Sequence, residues 1–97
     1  MYAAALRVEL LFREARSLKE KRRIVKSLTA ALTTKFPVAV AEVGFQDQWQ
    51  RCSLGVAAVA ASSGQLDRVF VGVRRLLEQR PGVEVLDARA SHLEDPA

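Results

Sequence analysis

A second cysteine is missing from this 97-residue chain, and that absence removes two classes of protein. Cys52 stands alone, so no internal disulfide forms and no cysteine-based zinc site is built. A single histidine, His92, leaves no histidine ligand set and no Ser-His-Asp arrangement. There is no glycine-rich phosphate loop. No apolar run approaches the ~20 residues that a helix needs to cross a bilayer. The first residues lack a basic segment and carry charge at Arg7 and Glu9, unlike a signal peptide. These gaps point to one cytoplasmic domain over residues 1–97 that is not an enzyme, uses no metal or cofactor and contacts no membrane.

Acidic residues are scarce in the first third. Residues 1–36 hold nine Lys/Arg against three acids, +6, and the remainder holds six Arg against eight acids, −2. A one-sided field of this kind draws polyanions and speeds their encounter. Most of that charge lies in Arg16-Ser-Leu-Lys-Glu-Lys-Arg-Arg-Ile-Val-Lys26.

An apolar fraction of 49% provides the core. Residues 2–12 alternate, with Leu6, Val8, Leu10 and Phe12 on one face, the period of a half-buried strand. Ser17 with Glu20 three residues on has capping-box spacing and predicts a helix over 17–35. Ile24, Val25, Leu28, Ala31 and Leu32 make its apolar arc. Lys19, Arg22, Arg23 and Lys26 share another arc. Lys21 falls within the apolar one, where its stem can lie on apolar surface while the ammonium reaches past it. Two strands follow, 38–46 and 51–61, joined by the turn Asp47–Gln50. A four-residue loop pairs Gln46 with Arg51, which directs Ala39, Ala41, Val43 and Phe45 inward and Glu42 outward. Ser62 opens a second helix with Leu66, Val69, Phe70, Val73, Leu76 and Leu77 at helical spacing, ended by Pro81-Gly82. Residues 83–89 form a fourth strand, and residues 92–97 a loose tail.

The order β-α-β-β-α-β is that of an α+β ferredoxin-like plait. Right-handed crossovers then dictate a four-stranded antiparallel sheet, order 4-1-3-2, with both helices on one face. This topology brings the start of the first helix and the 47–50 turn to one end of the sheet. An RNA- or anion-binding site is expected there, from Arg13, Arg16, Lys19, Lys21, Arg22, Arg23 and Lys26 with Gln48, Trp49, Gln50 and Arg51. Trp49 could stack a base or fold back as a lid on the core. Lys21 could bind phosphate or pair internally with Asp47 or Glu42. The central strands lack base-stacking aromatics, so recognition would rest on phosphate and shape. A second expectation is a homodimer or protein-binding module using the small apolar residues of the outer sheet face, Ala5, Val38, Val40, Ala57 and Val59. The remaining alternative is a small-molecule site where the helix start meets the turn.

The segments Arg16-Ser-Leu-Lys-Glu-Lys-Arg22 and Asp47-Gln-Trp-Gln-Arg51, with Leu54-Gly55 following, resemble those of the YlxP-like family, small bacterial proteins classed as a domain of unknown function. The resemblance covers nearly the whole chain. It implies a ferredoxin-like fold and no established activity. Family genes often neighbour those of translation and ribosome-maturation factors, which associates the family with RNA or the ribosomal subunits.

Overall fold

In the computed structural model, which describes residues 1–94, β1 (Tyr2–Leu11) leads into α1 (Leu18–Lys35). Then come β2 (Ala39–Gly44), β3 (Arg51–Ala60), α2 (Ser63–Gln79) and β4 (Glu84–Glu94). The sheet order is β2-β3-β1-β4, with every pairing antiparallel, as expected for the plait.

Alternation in β1 decides the layers. Ala4, Leu6, Val8 and Leu10 are buried against the helices, with Phe12 beyond the strand end, while Ala5 and Arg7 face out. The inward residues of β3, Cys52, Leu54, Val56 and Ala58, join them in one core cluster. Leu28 and Leu32 of α1 and Leu66, Phe70, Val73 and Leu77 of α2 close that core from above. Both helices start on a serine cap. Ser17 Oγ accepts from the Glu20 N–H at 3.1 Å, and Ser62 Oγ from the Gln65 N–H at 3.2 Å. Glu20 returns the contact one residue early, accepting from the Arg16 N–H at 2.7 Å.

The register of β2 corrects the sequence expectation. Gly44 lies opposite Ser53, as a four-residue loop requires, but Glu42 lies opposite Leu54. Val43 is therefore an extra residue, a β-bulge, and every β2 residue before it swaps faces. Val38 and Val40 turn inward and pack against the core. Ala39, Ala41 and Val43 turn outward, and Val43 lies over Gly55, where a Cβ would meet its Cγ1 at 3.1 Å. Two forces favour this arrangement: valine buries more apolar surface than alanine, and Glu42 now faces Lys21. Phe45, expected inside, is 38% exposed with φ of 60°, in the left-handed region that a phenylalanine rarely adopts.

The chain beyond residue 89 also differs from expectation. β4 runs through His92, Leu93 and Glu94, paired with Ala4, Ala3 and Tyr2. The loose tail predicted from 92 thus begins as strand, and 95–97 lie outside the described residues. Ten residues of β1 offered backbone partners, and the weak apolar pattern of 90–94 concealed that.

Candidate functional site

The end of the sheet where β1 becomes α1 is stitched to the β2–β3 turn by one side chain. Gln50 Nε2 donates to the Arg13 carbonyl at 2.9 Å and to the Ala15 carbonyl at 3.4 Å. The Gln50 carbonyl accepts from the Phe12 N–H at 2.7 Å. Gln50 is thus occupied in joining the two segments that topology brought together.

Lys21 is likewise internal. It is 1% exposed, and its Nζ lies 2.7 Å from a Glu42 carboxylate oxygen and donates to the Phe45 carbonyl. A buried ammonium without a counter-charge is strongly disfavoured, so Lys21 requires Glu42 inside. The bulge at Val43 makes that possible. The expected phosphate ligand Lys21 is withdrawn from the surface, and its alternative, an internal pair with Glu42, is what forms. Beside the pair lies the Cys52 thiol, pushed up to about 12 by burial and then by the Glu42 charge. It is a core thiol, and not a nucleophile at neutral pH.

The remaining predicted residues stay at the surface. Lys19, Arg22, Arg23 and Lys26 are exposed along α1 at i, i+3, i+4 and i+7, and none makes an ion pair among the described residues. Arg13 pairs with Glu84 at 2.9 Å, and Arg16 Nη1 donates to the Arg13 carbonyl at 3.1 Å. Trp49 is 51% exposed at the turn tip, so it is not a lid on the core. Gln48 is exposed beside it, its N–H bound to the Phe45 carbonyl at 3.0 Å. Arg51 leans around to the outer sheet face, its guanidinium 4.5 Å from the Phe45 ring centroid.

A polar cluster on that outer face escaped the sequence reading in part. It brings together Arg7 and Glu9 of β1, Asp87 and Arg89 of β4, and Phe45. The i, i+2 spacing in both strands was the available signal, because it puts each pair on one face. Arg7 Nε meets Glu9 at 3.0 Å, Arg89 Nε meets Asp87 at 2.8 Å, and the buried Ser53 hydroxyl donates to Glu9. Burial pushes the Glu9 carboxyl up, but the hydrogen bonds from Ser53 and Arg7 and the charges of Arg7 and Arg51 outweigh it and hold it below the usual range.

The lower outer face is apolar. Ala3, Ala5, Ala39, Ala57, Val59 and Leu93 line a shallow groove of about 570 Å³. Of the five interface residues expected, Ala5, Ala57 and Val59 lie here; Val38 and Val40 do not, because the bulge turns them to the core.

A family model described as a protein of unknown function (DUF503) matches residues 3–90, which include the whole of the α1 stripe and the 47–51 turn. The chain belongs to this family. Among its relatives, "Uncharacterized protein YlxP" of Bacillus subtilis (strain 168) is 38% identical over 76 residues, covering 78% of this chain and 83% of the relative. As a DUF503 member the protein shares a family description that assigns no reaction.

Proposed function

We propose that this protein is a non-enzymatic RNA- or ribosome-associated factor that holds the phosphate backbone on the first two turns of α1, beside the Trp49 turn. One observation carries the reading: Lys19, Arg22, Arg23 and Lys26 form a continuous exposed stripe with no acidic partner among the described residues. Cations on a structural surface are commonly interleaved with acids; a stripe left unneutralised retains its charge for a polyanion. The free N–H groups of the same helix start add to that field. Trp49 offers an exposed ring at the same end for an unpaired base. Binding of structured RNA or ribosomal subunits by the wild type, abolished in a Lys19, Arg22 and Arg23 to Glu triple variant, is the expected result. Equal affinity of the two proteins would eliminate this reading.

A second reading has its own observation, the apolar groove at the lower outer face. Val59 is 64% exposed there, among alanines that permit close approach of another surface. Under this reading the protein self-associates through sheet faces. Val59→Arg would then convert the oligomer to monomer in light scattering without loss of the fold. A wild-type monomer at high concentration would exclude it.

A further inference from the structure

The polar hollow on the outer sheet face is a built site. Arg7, Glu9, Phe45, Arg51, Asp87 and Arg89 surround about 310 Å³. Two of its arginines contact carboxylates at Nε, Arg7 with Glu9 and Arg89 with Asp87. Arg51 differs. It makes no ion pair among the described residues, and its Nε–H is buried with no acceptor. Its guanidinium is stacked on Phe45 instead. The Phe45 backbone lies in the left-handed region, and its carbonyl accepts from the Lys21 ammonium and the Gln48 N–H. The residue that carries the ring is thus tied through its carbonyl to the Lys21–Glu42 pair.

We propose that this hollow takes one phosphodiester of a single-stranded RNA segment, with the adjoining base against the Arg51–Phe45 stack. The strand then leads from the α1 stripe over the Trp49 turn onto the outer sheet face. This rests on the RNA reading above and specifies its ligand. Charge selects the guest. Three guanidiniums and two carboxylates leave the hollow at +1, which a phosphodiester neutralises and a doubly charged phosphate monoester exceeds. The stack selects between singly charged guests, because an unpaired base offers a flat face to an aromatic ring and an arginine plane, and an acidic peptide does not. Duplex RNA keeps its bases stacked inside and cannot use that surface.

The test is fluorescence anisotropy with labelled octauridylate and with a fully paired RNA hairpin, at fixed low salt, with octaglutamate as competitor. Arg51→Gln and Phe45→Leu should each weaken octauridylate binding about tenfold and leave the hairpin within about twofold. Arg89→Gln, whose side chain is 83% exposed and can be changed without endangering the fold, should weaken octauridylate about threefold. Octauridylate affinity unchanged in all three variants overturns the proposal, as does octaglutamate competing more strongly than unlabelled octauridylate. The stripe variant separates the two readings. If it alone loses RNA, the outer-face site is wrong and the α1 site stands. If it retains both RNAs while Arg51→Gln loses octauridylate, the reverse holds.

Discussion

Lys21 shows how one residue can dictate a neighbouring strand. Its position in the apolar arc of α1 brings an ammonium into the core, and only a counter-charge makes that tolerable. Glu42 supplies it across a strand whose register must shift to do so. Lys21→Ala should therefore destabilise the fold by about 3–5 kcal/mol, leaving a buried carboxylate unpaired. Lys21→Met with Glu42→Leu should recover most of that loss, and chemical denaturation of the three variants measures it. Cys52 beside the pair makes a pH prediction. Its thiol titrates near 9.0 ordinarily and at about 12 in the fold, so the unfolded chain loses this proton first as pH rises. The stability contributed by the neutral thiol is fully present below pH 9 and is lost between 9 and 12. Cys52→Ala should thus narrow the fall in Tm over that window.

At the level of elements, α1 and α2 were legible because capping serines and 3.6-residue periodicity are local signals. Ser17 and Ser62 cap where expected, and the predicted apolar arcs meet the sheet. β2 was less legible. A strand of alternating Val and Ala reads as apolar on both faces, so pattern alone cannot choose its register. The packing of the helices imposes a further constraint. At Gly72 of α2, a Cβ would sit 2.5 Å from the Phe36 ring at the end of α1. Gly72→Ala should force the two apart and cost about 1–3 kcal/mol, despite alanine's better helix propensity. A Tm higher than wild type would show that the ring simply swings aside.

For the molecule as a whole, the charge asymmetry visible in composition becomes a surface. The excess in residues 1–36 collects on the exposed side of α1, and one lysine of the run is diverted to the core. Four stripe cations engaged with phosphates should give a slope of log K against log salt of about −3 to −4 for the wild type. A slope near zero for the wild type would mean that the stripe makes no phosphate contact. The outer face combines an apolar lower half with a charged upper half, so oligomer assembly and RNA binding can be separated by variants in each half.

Sequence alone determined the element order, the caps, the inward face of β1, and the end at which α1 meets the β2–β3 turn, because period, spacing and chain topology are properties of local order. Tertiary structure decided the rest. The Val43 bulge, the inward turn of Glu42, the extension of β4 along β1 and the Arg51–Phe45 stack all depend on partners far away in the chain. A buried charge and a row of open backbone groups each had to be matched in space, and the strands adjusted to match them.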